Sequence, residues 1–282
     1  MRDKVVSLID ISVMVPVYNT PPEYLLAALD SLRTQELGPF TAEYLVVDDA
    51  STDPGTISVL RGLERDDRFK VMWRQENGGT ARALDTALGE ARGEFLCAAG
   101  SDDLYKRRWV AQRAAALKKG PEYDVAYDNF CVLENGVEAP RRLHSPHRNA
   151  LLARCFIPGN SMYRASVYDR IPKGFAYEGY DEFGRRGEDY NLWLNIMDEG
   201  RALWLDLPPR TTWTYRVRPG NKSAGPETPF RKELVRRAML RWGVSEVCIV
   251  CKKGTLGDGG LETVLDATGE DIHRACVGEG RL

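Results

Sequence analysis

Three short clusters of chemically equipped residues each close a run of β-branched and aliphatic side chains. The run 11–15 leads into Pro16-Val17-Tyr18-Asn19, the run 44–47 into Asp48-Asp49-Ala50-Ser51-Thr52-Asp53, and the run 95–99 into Gly100-Ser101-Asp102-Asp103. In an open parallel sheet the carboxyl ends of the strands line one crevice, and ligands bind there. The pattern therefore predicts that Asp48, Asp49, Asp102 and Asp103 gather at one rim. Carboxylates so close repel one another, and a cation shared with a phosphorylated ligand relieves that repulsion.

The elements that would position these clusters alternate between strand and helix. Thr20-Pro21-Pro22-Glu23 reads as a capping box with prolines in the first helical turn, leading into a stripe of Leu25, Ala28, Leu29 and Leu32. A second helix is expected over 56–65, with Ile57, Leu60 and Leu63 inward and Asp53 as its cap. Residues 70–73 form a third strand pattern. Asn77-Gly78-Gly79 then turns into a helix over 80–91 that Gly93 stops, before a strand carrying Phe95, Leu96 and Cys97 and a helix over 107–119. This order predicts an α/β protein with a doubly wound, mostly parallel sheet, right-handed crossovers and flanking helices. Farther on, the sequence predicts a hairpin within 124–138 around Glu134-Asn135-Gly136 and a polar loop over 141–154. Strands are expected at 156–163, 202–205 and 211–217, with helices at 188–199 and 230–242.

With 282 residues, 43% hydrophobic and 28% charged, the chain has the composition of an ordinary globular protein able to bury a large core. Its net charge of −2 argues against a nucleic-acid surface covering the whole molecule. No apolar run approaches the ~20 residues that cross a bilayer. Met1-Arg2-Asp3-Lys4 leads directly into a strand pattern interrupted by Asp10. The sequence thus predicts no signal peptide and a cytoplasmic protein, at most peripheral to a membrane. Cys97, Cys131 and Cys155 lie among apolar neighbours and read as core thiols of a reducing compartment.

Taken in order, Pro16-Val17-Tyr18-Asn19, Asp48-Asp49-Ala50-Ser51, Asn77-Gly78-Gly79-Thr80-Ala81-Arg82, Ser101-Asp102-Asp103 and Gly187-Glu188-Asp189 resemble the inverting nucleotide-sugar glycosyltransferases of family two, which have a GT-A fold. The resemblance covers residues 11 to about 223. It implies transfer of a sugar from a nucleotide-diphosphate donor, UDP-linked, to an acceptor hydroxyl with inversion. Pro16, Val17, Tyr18, Asn19, Asp48, Asp49, Asn77, Arg82 and Ser101 would then surround the donor. A carboxylate suits a uracil-type N–H, and arginine supplies directed donors to carbonyl or phosphate oxygen. Asp102 and Asp103 would hold Mn2+ or Mg2+ against the diphosphate, whose developing charge the ion offsets. Gly100 departs from the pattern, since many relatives carry a further aspartate there.

The same resemblance makes Asp189 the general base, beside Glu188, at the start of a helix whose Leu192, Trp193 and Ile196 face inward. Gly159 and Asn160, in Pro158-Gly159-Asn160-Ser161, would shape the sugar pocket. Arg216 and Arg218, with Lys222, would reach the diphosphate. Trp193 and Trp204 read as packing, and Trp213 as packing or a sugar platform. His144 and His147 read as surface residues of the polar loop.

Beyond the resemblance, Cys248, Cys251, His273 and Cys276 form two knuckles that suit a structural Zn2+ in a small module over 244–282. A basic helix over 229–243 would link it to a transferase domain over 1–228. Arg231, Lys232, Arg236, Arg237 and Arg241 raise the option of a nucleic-acid acceptor. The other acceptor classes are a glycan, a lipid-linked glycan, a protein or a small molecule. A sugar nucleotidyltransferase would instead carry a glycine-rich basic loop after the first strand, and a dehydrogenase a Gly-x-Gly-x-x-Gly there. A non-catalytic nucleotide-sugar-binding module remains a third class, with Gly100 in its favour and Asp102, Asp103 and Asp189 against it.

Overall fold

The computed structural model describes residues 9–143, 151–152, 155–178, 180–182, 185–218, 229–243, 246–250, 262–266 and 271–272. The β-branched runs become the centre of a sheet. β1 (Ile11–Val17), β2 (Ala42–Asp48), β3 (Phe69–Trp73) and β4 (Phe95–Ala98) are mutually parallel, with β1 joined to β2 from Ile11↔Ala42 to Val17↔Asp48 and to β4 from Ile11↔Phe95 to Met14↔Ala98. Continuous Val, Ile and Leu suit strands that helices cover on both faces.

α1 (Pro22–Arg33), α2 (Pro54–Leu63) and α4 (Trp109–Lys119) pack on one face, where Leu25, Leu29, Leu60, Trp109 and Val110 meet Val13, Val15 and Val17. On the other face, α3 (Gly79–Glu90), α5 (Glu188–Ile196) and α6 (Pro229–Trp242) bring Leu84, Leu88, Trp193, Val235 and Met239 against Met14, Leu45 and Val47. Three further strands complete the sheet: β6 (Val125–Asp128), β9 (Met162–Arg164) and β10 (Ala202–Leu205). Its order is β10-β6-β9-β4-β1-β2-β3, in seven strands, and β9 alone runs antiparallel to its neighbours.

A second sheet joins β5 (Leu104–Tyr105), β7 (Phe130–Glu134), β8 (Val137–Arg141) and β11 (Trp213–Arg216) in the order β5-β11-β7-β8. β12 (Glu246–Val250), β13 (Glu262–Asp266) and β14 (Asp271–Ile272) form an antiparallel sheet of their own.

Several expectations change on folding, each because a tertiary partner overrides a local signal. Thr20 does not cap α1, whose first turn has no side-chain cap; its hydroxyl lies 2.7 Å from Ser101 Oγ instead. Asp53 does cap α2, accepting from Thr56 N at 2.6 Å, but Thr56 rather than Ile57 is buried. Gly93 is not the stop of α3, which ends at Ala91 in an extended conformation. It is a close approach, since a β-carbon there would meet Ser12 N at 2.5 Å. The hairpin around Asn135-Gly136 forms with positive φ at both residues, yet its first strand starts at Phe130. Residues 125–128 leave for the large sheet because Asn129 breaks the run. Its Oδ1 accepts from Leu143 N, its Nδ2 donates to Asp206 Oδ1 and Leu207 O, and its carbonyl accepts from Thr212 Oγ1. Leu151 and Leu152, expected in a polar loop, are helical and fully buried. The strand expected at 156–163 shrinks to β9, because residues 158–161 turn.

Candidate active site

Every parallel strand ends at the same edge of the large sheet, and the ladder carries the loops a residue further. Asp49 N donates to Val17 O at 2.8 Å, Ala99 N to Met14 O at 2.8 Å and Arg74 N to Asp48 O at 2.9 Å. β9 starts where β4 and β6 end, with Met162 opposite both Cys97 and Ala126. The turn 158–161 therefore emerges beside Gly100-Ser101-Asp102-Asp103 and beside Asp128. The tertiary fold thus brings Tyr18, Asn19, Asp48, Asp49, Asp102, Asp103, Gly159 and Asn160 to one rim.

On the β1–β3 side of that rim the side chains knit the loops to each other. Asn19, at φ 46°, accepts from Thr52 N at 2.8 Å and Asp53 N at 2.9 Å, while its own N–H donates to Ser51 Oγ at 2.9 Å. Asp49 is buried, and its carboxylate accepts from Gly78 N at 3.0 Å, Gly79 N at 2.7 Å and Arg74 Nε at 2.8 Å. Its part is to seat the start of α3. Ala81 N donates to Tyr180 Oη at 3.0 Å, so three N–H groups of this glycine-rich turn have protein partners. Such groups are the ones a phosphate would use at a helix N-terminus. Asn77 and Arg82, expected on the donor, stand next to Asp181 and Arg185, and Asn77 Nδ2 also donates to Asp49 O at 3.2 Å. Arg185 Nη1 donates to Asn77 O at 2.8 Å and Oδ1 at 2.9 Å, and Arg82 Nη2 pairs with Asp181 Oδ2 at 2.6 Å.

Asp48 differs. It is buried, its Oδ2 accepts from Ser51 N at 3.0 Å, and its Oδ1 has no partner among the described residues. An unmatched buried carboxylate oxygen asks for a ligand donor, because leaving it unpaired is costly. Tyr18 beside it is half exposed; Pro16 and Val17 complete the end of β1, with Val17 buried.

On the β4 side, Ser101 is held by Thr20 and the two acids by the β11 segment. Arg218 Nε pairs with Asp102 Oδ2 at 2.6 Å, and the Arg216 N–H donates to Asp103 Oδ1 at 3.0 Å. Arg216 stacks over the Tyr24 ring, 4.5 Å from its centroid. Burial, and then the neighbouring charge of Asp102, push the Asp103 carboxyl up to about 7. A β-carbon on Gly100 would lie 2.7 Å from Asp103 Oδ2. The glycine is what lets that carboxylate fold back over the strand end. Among the described residues no group of three or more His, Cys, Asp or Glu side chains could hold a metal ion. Two hard carboxylates that repel each other nonetheless fit a divalent ion of the kind that keeps its waters and takes its remaining ligands from phosphate.

Glu188 and Asp189 open α5 after Gly187, whose φ of 78° only glycine adopts without strain. Asp189 Oδ1 accepts from Tyr190 N at 2.7 Å, and burial raises its carboxyl above the usual aspartate range. Its Oδ2 faces Gly159, where a β-carbon would stand 3.0 Å away. Next to it the Asn160 amide is buried, and neither Oδ1 nor Nδ2 has a partner among the described residues.

Three residues at this rim were not singled out from sequence: Arg113, Asp128 and Arg185. Asp128 had a readable signal, being another acid at the end of an aliphatic strand. Arg113 falls on the buried stripe of α4 with Trp109, Val110, Ala114 and Leu117, which an arginine disguises. Trp213 stacks on Phe130 with centroids 4.5 Å apart and is buried, so it is packing. Trp193 is buried as expected, and Trp204 donates to Asn129 Oδ1 at 3.3 Å. Of the C-terminal cluster, Cys248 lies in β12 opposite Val264. Cys251, His273 and Cys276 lie outside the described residues, as do His144, His147 and Lys222.

Comparison with known proteins agrees with this geometry. The family model described as glycosyl transferase family 2 matches residues 12–177. The chain belongs to this family. The putative glycosyltransferase EpsE of Bacillus subtilis, a family-level relative, is 31% identical over 195 residues, covering 67% of this chain and 67% of EpsE. Across its curated relatives the span is uneven: this family 2 chain corresponds to 25% of the uncharacterized protein y4gI of Sinorhizobium fredii, at 26% identity over 81% of its own length. The crystal structure of S. aureus TarS 1-349 in complex with UDP-GlcNAc superposes with a TM-score of 0.66 at 23% identity, covering 83% of this chain and 66% of that one. The mannosyltransferase PcManGT from Pyrobaculum calidifontis, in complex with GDP-Man and Mn2+, gives 0.56 at 19%, covering 83% and 72%. At those identities the likeness establishes the shared GT-A fold of family 2.

Proposed function

We propose that the protein transfers a sugar from a nucleotide-diphosphate donor, UDP-linked, to an acceptor hydroxyl with inversion. The observation that carries the reading is Asp189. Its carboxyl is raised by burial and faces Gly159, at the same rim as the crowded pair Asp102–Asp103. The TarS and PcManGT complexes support a nucleotide-sugar donor and a divalent ion at this fold.

Donor recognition falls to the β1–β2 loops. The unmatched Asp48 Oδ1 accepts from a pyrimidine N–H, and the half-exposed ring of Tyr18 offers a face to the base. Asp102 and Asp103 would hold a divalent ion, Mn2+ or Mg2+, which when bound would offset the negative charge of the departing diphosphate. Arg218 then exchanges Asp102 for a diphosphate oxygen, and Arg216 stays anchored on Tyr24. On the opposite side of the sugar, Asp189 takes the acceptor hydroxyl's proton as the oxygen attacks the anomeric carbon. A carboxylate whose charge is poorly solvated binds that proton more firmly, which suits a general base. Gly159 leaves space for the acceptor, and Glu188 flanks the base. The catalytic unit spans 1–228, with α6 docked on its core and residues 244–282 as an appended module.

A nucleotidyltransferase is disfavoured because β1 leads into Pro16-Val17-Tyr18-Asn19 and not into a glycine-rich basic loop. The test is a screen of nucleotide sugars with Mn2+, read as thermal stabilisation and as nucleotide release. Stabilisation by UDP-linked donors with turnover of at least one is expected; no response to any nucleotide sugar would sink the reading.

A further inference from the structure

Arg113 has no solvent exposure and its partner Asp128 has 1%. Arg113 Nε donates to Asp128 Oδ2 at 2.8 Å and Nη2 to Oδ1 at 2.7 Å. The remaining terminal nitrogen, Nη1, donates to the backbone carbonyl of Asn160 at 2.7 Å. The guanidinium also lies 4.8 Å from the centroid of the Trp109 ring.

Stability alone is a poor reason for this arrangement. Apolar side chains of similar volume often replace a buried ion pair with no loss, because the pair's attraction barely offsets its desolvation. What the pair adds is direction. A planar guanidinium gripped along one edge by a carboxylate points its third nitrogen in one direction only. Asp128 closes β6 and Arg113 comes from the inward stripe of α4, so a strand end and a buried helix face together aim that nitrogen at Asn160 O. The turn has its own internal bonds, Ser161 N and Oγ to Pro158 O at 3.0 and 2.7 Å, which fix its shape but not its place.

Its place matters on both sides of Asn160. Gly159 stands against Asp189 Oδ2 with no room for even a β-carbon at ordinary contact. The Asn160 amide is buried with both polar atoms unmatched. A shift of about an ångström in the turn would close the space before the base or redirect the amide, and misplacements of that size can cost ~10²-fold in rate.

We infer that Arg113 and Asp128 are positioning residues for the transfer step: together they hold the Asn160 turn in register with Asp189 without touching the substrate. The inference rests on the sugar-transfer reading with Asp189 as base. Two variants test it, Arg113→Met combined with Asp128→Leu, and Arg113→Lys alone. The first removes both charges and leaves no unpaired ion; the second keeps the charge and loses the fork. For both, UDP affinity in the presence of Mn2+ should stay within about twofold of wild type, because the nucleotide loops lie on the other half of the rim. With the donor that the screen identifies, kcat for nucleotide release should fall at least about tenfold, with KM for the donor nearly unchanged. Wild-type kcat in either variant overturns the inference. So does a loss in which kcat, UDP affinity and Tm fall together, which would mark the pair as merely structural. If the double variant does not fold, Arg113→Lys decides alone. Failure of the transfer reading would look different, as wild-type protein releasing nucleotide from no donor at all.

Discussion

At the β1–β3 end of the rim nearly every polar group has a partner inside the protein, whereas the β4–β9 end gathers groups that the protein leaves crowded or unmatched. Asn19 and Asp49 make eight hydrogen bonds between them to neighbouring loops, four each. By contrast, Asp103 is buried beside Asp102, the Asp189 carboxyl is raised by burial, and Asn160 has no partner for its amide. The first region is a scaffold in which side chains tie the strand-end loops to one another. The second stores the unsatisfied charge and hydrogen-bonding capacity that chemistry can use, which is where perturbed ionisation is expected in an enzyme. Asp48 is the exception on the scaffold side, with one oxygen matched and one not.

The contrast can be broken most sharply at Asp189. Replacing it by Asn should lower kcat by ~10²–10⁴-fold while UDP binding is retained, measured by nucleotide release alongside calorimetry. Appreciable remaining turnover would move the base elsewhere. The pH profile carries the same information. Burial disfavours the charged form, so the raised carboxyl stays protonated to higher pH than an ordinary aspartate and cannot act as a base there. Activity should therefore fall as pH drops through a midpoint above the usual aspartate range, and Asp189→Asn should remove that limb.

Next in size is the acidic pair. Chelation of divalent ions, or Asp103→Asn, should reduce turnover by ~10²–10³-fold, the scale of a lost electrostatic contribution to the transition state. Full activity in excess EDTA would eliminate the ion from the mechanism.

The scaffold side should respond in stability instead. Asp49→Asn leaves Arg74 facing a neutral group and removes an acceptor from the α3 turn, for a loss of about 3 kcal/mol in urea unfolding. An unchanged midpoint would contradict the structural role. Smallest is Asp48→Asn, which keeps the bond from Ser51 N but replaces a charged acceptor. UDP affinity should weaken by ~10-fold with little change in Tm. A variant that binds UDP as tightly as wild type would leave the unmatched oxygen without a ligand role.

The sheet was legible because its signal is local. Mainly apolar runs gave β1 to β4 to within two residues, and period-3.6 stripes gave α1 and α3. The loops at the strand ends were legible as chemistry too, since acids closing parallel strands must meet at one rim. Partners were not legible. Thr20 looked like a helix cap and bonds Ser101; the ties of Arg82 to Asp181 and of Asn77 to Arg185 had no local signal. Residues 156–161 looked like strand and became the turn before Asp189. Arg113 was not singled out in the helix over 107–119, and its charge is buried against Asp128.

By itself, then, the sequence determined the alternation of strands and helices in the first half and that several strands end in acids, because hydrophobic periodicity and strand-end chemistry act over a few neighbouring residues. Only the tertiary structure decided which of them are neutralised by partners and which stay available. That difference depends on groups 15 to 108 positions apart, such as Arg113 with Asp128 and Asn77 with Arg185. Burial then sets their ionisation, and a side chain's neighbours in space determine how much water it keeps.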